Sequence, residues 1–289
     1  MTEPHPRIDL HMHTAVSDGT DTPAEILARV KEAGIAYFSV TDHDAIAACE
    51  QIRTLLRPDD PKFTFGAEFS CRDALGKYHI LGYRYDPSSP AIRAVLDQGH
   101  AFRMKKLRDR LAFLRTEFGF VFSDADEQML FSLSNPGKPH IAKLMTQYGY
   151  AQTIKQAFQN YLDRMDAHDD YVRPEDAIRG ILGAGGIPVL AHPCYGDGDQ
   201  LILGDALAAR VERLIGFGLA GLEGFYSGFT AKLRDQVLGL AEAHGLYLTA
   251  GSDYHGTNKI VRLADTGLTE TSAFPDGLTR FLKDAFAEE

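Results

Sequence analysis

Histidine and carboxylate side chains recur in this chain where short apolar runs end, and that recurrence limits the fold more than any other feature. The first instance is Asp9-Leu10-His11-Met12-His13-Thr14-Ala15-Val16-Ser17-Asp18-Gly19, which follows Ile8. Side chains alternate across a strand, so His11 and His13 point to one face and can grip one cation. Asp18, in the loop beyond, reads either as a returning oxygen ligand or as a turn residue. Further on, Thr22-Pro23-Ala24-Glu25 has the spacing of a capping box with proline at the first helical position, and Gly34 stops that helix. A predicted strand over residues 37–40 ends in Thr41-Asp42-His43-Asp44, and Asp44 is the expected cap of a helix over 45–56. The run 63–67 ends at Glu68, and the apolar run 77–83 carries His79.

The rhythm breaks at Pro87-Ser88-Ser89-Pro90. Leu107, Leu111, Leu114 and Phe118 then fall at helical spacing before Gly119, and further helices are expected from Ser123, over 139–148 and over 153–162. The alternation resumes with a helix over 174–182, then a strand over 187–191 that ends in His192-Pro193. A helix over 202–217, a strand over 221–225 and a helix over 231–244 follow. The strand over 246–250 ends in Gly251-Ser252-Asp253-Tyr254-His255-Gly256, and a helix over 276–287 closes the chain. The division expected is an α/β body, residues 1–87 and 172–289, with an all-helical insertion, 88–171. Repeated strand–helix units with short loops imply a parallel sheet. About seven strands with polar residues at their C-terminal ends imply a TIM-like barrel, because such barrels work at that face. The alternative is a doubly wound sheet; it would carry a glycine-rich phosphate loop after the first strand, and Asp18-Gly19 is not one.

Composition narrows the function. With 289 residues the chain can bury a substantial core, and its formal net charge of −10 argues against a duplex nucleic-acid surface. No apolar run reaches the roughly 20 residues of a membrane span. The short polar start lacks a signal-peptide core, and Cys49, Cys71 and Cys194 are scattered, so a cytoplasmic protein without a disulfide framework is expected. No stretch marks a subunit interface.

The candidate ligands are His11, His13, Asp18, His43, Glu68, His79, His192, Asp253 and His255, which take up six of the eleven histidines. Singly, His79 reads equally as a hydrogen-bonded core histidine. Together, so many imidazoles and carboxylates on one face without a cation would leave costly unpaired polar groups. Mixed nitrogen and oxygen donors suit zinc, manganese or iron better than calcium. Nine donors exceed one ion, and a carboxylate such as Glu68 can bridge two. Three divalent ions outweigh the three carboxylates, so the site suits a phosphate despite the acidic chain, and clustered metals suit phosphoryl transfer.

The series His11-x-His13 with Ser17-Asp18-Gly19, Thr41-Asp42-His43-Asp44, Gly66-Ala67-Glu68-Phe69-Ser70, His79-Ile80-Leu81-Gly82-Tyr83, Ala191-His192-Pro193 and Gly251-Ser252-Asp253-Tyr254-His255-Gly256 resembles the polymerase and histidinol phosphatase (PHP) phosphoesterases. The resemblance runs almost the whole length. It implies a distorted (β/α)7 barrel with two or three divalent ions. His11, His13, Glu68 and Asp253 would hold one; Glu68, His79 and His192 a second; Asp18, His43 and His255 a third. A hydroxide bridging the first two would be the nucleophile. The insertion resembles that of small stand-alone members acting on nucleoside 3′,5′-bisphosphates, nucleoside monophosphates or cyclic ribose phosphates.

Arg103 and Gly137-Lys138-Pro139-His140-Ile141-Ala142 match features of that insertion, which implies that Arg103, Lys138 and His140 position a small phosphorylated substrate, with His140 also a candidate proton donor. Relatives usually carry arginine in place of Lys138; lysine keeps the charge and loses the bidentate fork. Outside the resemblance, Arg103 among Lys105, Lys106, Arg108 and Arg110 reads as a solvated helix face. Glu223 reads as an outer or interior acid rather than a ligand, Tyr226 and Ser70 as neighbours of the mouth, and His5, His100, His168 and His244 as ordinary histidines. The expected activity is hydrolysis of a small phosphate monoester. The rivals are a cyclic phosphodiesterase, a histidinol-phosphate phosphatase, a metal-dependent amidohydrolase and a non-catalytic metal-binding module.

Overall fold

A computed structural model of the chain describes residues 5–133, 135–165, 171–197, 200–269 and 273–287. His168 lies outside them. The first strand, β1 (Arg7–Asp9), pairs in parallel with β2 (Ile35–Phe38), and β2 pairs in parallel with β3 (Lys62–Phe63). Between β1 and β2 runs α1 (Pro23–Glu32). Its capping box is present: the Glu25 amide donates to Thr22 Oγ1, and the Thr22 amide donates to Glu25 Oε2 at 2.7 Å. Gly34, at φ +65°, follows the helix end.

The second sheet holds β4 (Gly66–Asp73), β5 (Gly76–Tyr83), β6 (Ile187–Leu190), β7 (Gly221–Tyr226) and β8 (Tyr247–Gly251) in that order. β6, β7 and β8 run parallel, with α8 (Gly204–Ile215) and α9 (Ala231–Ala243) as crossovers. The expected all-parallel pattern fails at β4–β5–β6, which pair antiparallel. The reason is local. Ala74-Leu75 leaves room only for a two-residue turn, and Gly76 takes φ +126°, so the chain doubles back instead of crossing over. The described residues therefore hold eight strands, not seven. Single backbone bonds tie the sheets together at both sides: Leu10 N to Ala250 O (2.9 Å) and Asp253 N to His11 O (2.7 Å), and Asp44 N to Glu68 O (3.0 Å).

Asp44 does not cap α2 (Ala47–Leu55), whose N-cap Ile46 makes no side-chain bond. At φ 48° it turns inward, where it accepts from the Ser70 amide and from Arg103. The long helix α3 (Pro90–Phe118) starts on Ser89 and ends on Gly119 at φ 68°. Its first half joins the main core through Ile92, Val95 and Leu96, packed with Phe69, Leu81 and α7 (Pro174–Gly183). Its second half joins a separate apolar cluster, in which Leu107, Leu111 and Leu114 meet Leu130 of α4 (Asp124–Ser132) and Ile141, Leu144 and Met145 of α5 (Lys138–Gln147). Ala157 of α6 (Ile154–Asn160) completes that cluster. Each such aliphatic side chain contributes about 1.5–3 kcal/mol by leaving water. The C-terminal helix, α10 (Asp276–Ala285), seats Leu278 and Phe281 in the main core. Among the described residues no helix is long and apolar enough to cross a membrane.

Candidate metal centre

All nine candidate ligands lie at one end of the sheets. His11 and His13 follow β1, His43 follows β2, Glu68 and His79 stand in β4 and β5, His192 follows β6, and Asp253 and His255 follow β8. Glu68 is central and buried. Its Oε2 lies 3.4 Å from His11 Nε2, 3.1 Å from His13 Nε2 and 3.2 Å from His43 Nδ1; its Oε1 lies 2.7 Å from His79 Nδ1 and 3.3 Å from His192 Nε2. Asp253 Oδ1 faces His11, His13 and His255 at 3.4–3.5 Å. Asp18 Oδ1 faces His255 Nε2 at 3.3 Å and His13 Nδ1 at 3.5 Å, and its Oδ2 faces His43 Nε2 at 3.8 Å.

Three groups have donor atoms within 4.8 Å of one another: His13, Asp18, His43 and His255; His11, His13 and Asp253; and Glu68, His79 and His192. The fit to cations is visible in the donor directions. His11 Nε2, His13 Nε2, His43 Nδ1 and His79 Nδ1 are buried and make no hydrogen bond, although carboxylate oxygens stand within 3.4 Å of each. Unpaired nitrogens that crowd carboxylate oxygens in this way, distributed over the three groups, are an arrangement that ions between them would satisfy.

The fields inside the cluster are uneven. Burial alone would depress His13, but the carboxylates of Asp253 and Glu68 overcome it and hold it at about 9. At His79 burial prevails over Glu68 and pushes the ring down to about 4. Burial would raise Glu68 and Asp253, yet the surrounding imidazoles hold both well below the usual carboxylate range.

Supporting residues fix these ligands. Glu223, fully buried, takes His11 Nδ1 on Oε1 at 2.9 Å and the His192 amide on Oε2 at 2.7 Å. It thereby sets the tautomer of His11 and offsets the positive φ of 29° at His192. Tyr226 Oη and Lys259 Nζ donate to Asp253 Oδ2 at 3.1 and 2.6 Å. Asp42 accepts from the Thr14 amide and hydroxyl and from Ser17, holding the loop between His13 and Asp18. Asp9, buried beneath, accepts from the Ser252 amide and hydroxyl and from the Ala264 amide. Asp9 had a sequence signal, since alternation places it on the face of His11 and His13. Lys259 had none.

The helices α3 and α5 form the far wall of a cavity of about 190 Å³, which shares Asp18, His43 and His79 with the centre. Arg103 and Lys138 line it, with Lys77, Lys106, Arg110 and Asn135. Arg103 donates to Asp44 at 2.7 Å and to Ser70 Oγ at 2.9 Å; Lys138 pairs with Asp163. His140 stands in the first turn of α5, where its Nδ1 accepts from the Gly137 amide at 3.0 Å, and burial lowers its pKa. On the other side Tyr195, Tyr226, Lys259 and Gly228 line a second opening that reaches His43, Glu68, His79, His192 and Asp253.

The PHP domain family profile matches residues 9–217. The chain is 30% identical to a 3′,5′-nucleoside bisphosphate phosphatase of Chromobacterium violaceum, over 91% of each chain. It is 31% identical to a phosphoribosyl 1,2-cyclic phosphate 1,2-diphosphodiesterase of Eggerthella lenta, over 86% of this chain and 94% of the relative. A 5′-3′ exoribonuclease of Salmonella typhimurium is 31% identical, over 86% and 84%. Among solved structures, a metal-dependent phosphoesterase from Bifidobacterium adolescentis superposes with a TM-score of 0.80 at 27% identity, over 97% of both chains.

Proposed function

The chain belongs to the PHP domain family, and from that premise we propose that it is a metal-dependent phosphoesterase acting on a small phosphorylated metabolite, a nucleoside mono- or 3′,5′-bisphosphate or a sugar phosphate. The observation that carries this reading is the convergence of nine ligand-type side chains with unpartnered, buried imidazole nitrogens beside a cavity lined by cationic side chains. A cyclic phosphodiesterase is the second reading, favoured by the diphosphodiesterase relative. Exoribonuclease relatives leave an RNA end in view as a substrate.

In this reading His11, His13, Glu68 and Asp253 hold one divalent ion, Glu68, His79 and His192 a second, and Asp18, His43 and His255 a third; the ions would be manganese, zinc or iron. When bound, such ions supply an activated water and neutralise charge on the phosphate. The protein's own part is orientation. Glu223 keeps His11 Nε2 aimed into the centre, and Tyr226 with Lys259 occupies one oxygen of Asp253, so that the other faces the ligands. Arg103 and Lys138 line the cleft from the helical segment 88–171, and His140, which feels the Asp18 charge, stands on the same helix as Lys138; we read this segment as a substrate cap on a body of residues 1–87 and 172–289. His140 Nδ1 accepts from the Gly137 amide, so the ring is neutral with its proton on Nε2, from which it can donate a hydrogen bond to a phosphate or leaving-group oxygen. The edge-to-edge backbone bonds of the two sheets support a distorted (β/α)7 barrel as the scaffold.

The test is phosphate release from nucleoside 3′,5′-bisphosphates, monophosphates, cyclic nucleotides, cyclic ribose phosphate, histidinol phosphate and a 5′-phosphorylated RNA, with added manganese, after chelation, and in His192→Ala. Chelator-sensitive release from one class is expected, with His192→Ala slower by at least about 100-fold. No release by a protein shown to hold metal would sink the reading.

A further inference from the structure

Away from the metal centre, a buried guanidinium stands without an anion. Arg210, on α8, is 8% exposed and has no ion-pair partner among the described residues. The carboxylates whose charge reaches it are engaged elsewhere: Asp73 pairs with Arg213 at 2.7 Å, and Asp197 with Arg72 at 2.8 Å. Its Nη2 donates to two backbone carbonyls, Lys77 O at 2.7 Å and Tyr195 O at 3.4 Å, while its Nε makes no hydrogen bond. The guanidinium lies over the Tyr78 ring, with Cζ 4.2 Å from the ring centroid. Arg210 and Tyr78 line a groove of about 470 Å³ together with Leu75, Leu201, Leu203 and Ala206. The three leucines are 68%, 52% and 39% exposed, so apolar surface that the fold leaves in water is gathered at one place. None of these residues lines either opening to the metal centre.

A cation without an anion is costly at this burial, and exposed leucines are costly in water. One kind of occupant relieves both: an apolar chain or ring that covers the leucines and ends in a carboxylate, which a guanidinium recognises by charge-assisted hydrogen bonds. The volume matches a small molecule, and a cation set this deep is out of reach of a flat subunit face. We propose that the groove is a regulatory site for an amphiphilic monocarboxylate, separate from the phosphate chemistry of the metal centre. Arg210 is the link between the two. Lys77 lies two residues before His79 on β5, and Tyr195 three residues after His192. A carboxylate that immobilises Arg210 therefore steadies the carbonyls it holds in both of those segments. The site stands whatever ester the metal centre cleaves.

The experiment titrates octanoate, 1-octanol and octylammonium into the protein by calorimetry, with manganese and inorganic phosphate present to occupy the metal centre. Octanoate should bind at least about 10-fold more tightly than octanol, and octylammonium more weakly than either. Arg210→Met should remove the advantage of octanoate over octanol. Ala206→Trp, at an exposed position that spares the core, should block all three and keeps the test decisive should Arg210→Met not fold. The site is overturned if octanoate does not bind at millimolar concentration, if it binds no better than octanol, or if its binding survives Ala206→Trp. In amide hydrogen exchange, octanoate should slow residues 76–79 and 193–196 in wild type and not in Ala206→Trp. Binding with unchanged exchange there would overturn the regulatory role. A groove already covered by a second copy of the chain would show in sedimentation as a dimer that Ala206→Trp dissociates, and that result too would overturn the proposal.

Discussion

Glu223, outside the ligand set, supports the centre at two points, because one carboxylate fixes both a ring and a backbone amide. Glu223→Gln keeps the shape and removes the charge that orients His11. Manganese affinity should drop about 10–100-fold in a titration of the chelated protein, with an unchanged circular dichroism spectrum. Lys106 makes the opposite kind of contribution. Burial, followed by the Arg103 charge, pushes its pKa down to about 7, and Asp44, Arg110, Lys77 and Tyr171 also face it. The unfolded chain holds this proton up to about pH 10. Below pH 7 both states are charged and the folded state bears the full cost of burying it; as pH rises from 7 towards 10 the folded state sheds the proton and the cost fades. Lys106→Met should therefore stabilise the protein by about 1–3 kcal/mol near pH 6 and by less at pH 9, in denaturant melts at the two pH values. A function-neutral lysine in a tolerant pocket would show no such difference.

At the level of elements, α3 is the member that joins the two apolar cores. It crosses α7 where a Cβ at Gly180 would lie 2.4 Å from Val95 Cγ2. Gly180→Ala should cost about 1–3 kcal/mol by overpacking this crossing, seen as a lower denaturation midpoint, although alanine is otherwise the better helix former. The helix ends at Thr22 with Glu25 and at Gly119 were legible in the sequence because their signals are local, whereas Ser89, read only as part of a break in the rhythm, proves to cap α3. The basic run of α3 was harder. Arg103, Lys106 and Arg110 fall three and four residues apart, a single helical face, yet charge at this spacing looks the same whether it faces water or a cavity. Asp44 failed as a cap for a similar reason. A carboxylate before a helix is drawn to the nearest strong donor, and the Arg103 guanidinium that outcompetes the helix amides comes from a distant part of the chain.

For the whole molecule, any divalent ion held by the candidate metal centre is linked to folding, because the donor side chains meet only in the folded chain. Ion binding to the folded state alone stabilises it by about 2.7 kcal/mol at a hundredfold excess over Kd. Chelation should therefore lower Tm, and added manganese should restore it, in a thermal melt at fixed protein concentration. A melt indifferent to chelator would mean that the nine side chains are held together without an ion.

The sequence by itself determined most element types and the nine donor-type side chains, six of which follow strands while Glu68 and His79 stand within them, because alternation, caps and turn residues are properties of neighbours along the chain. The tertiary structure decided the rest. Only packing could show that β4 and β5 double back, that Glu223 and Lys259 hold His11 and Asp253, and that, among the described residues, Lys106 is buried over Tyr171 without an ion pair and Asn135 without a side-chain hydrogen bond. Those facts depend on which distant groups a side chain meets, and hydrogen bonding and desolvation act through space, not along the chain.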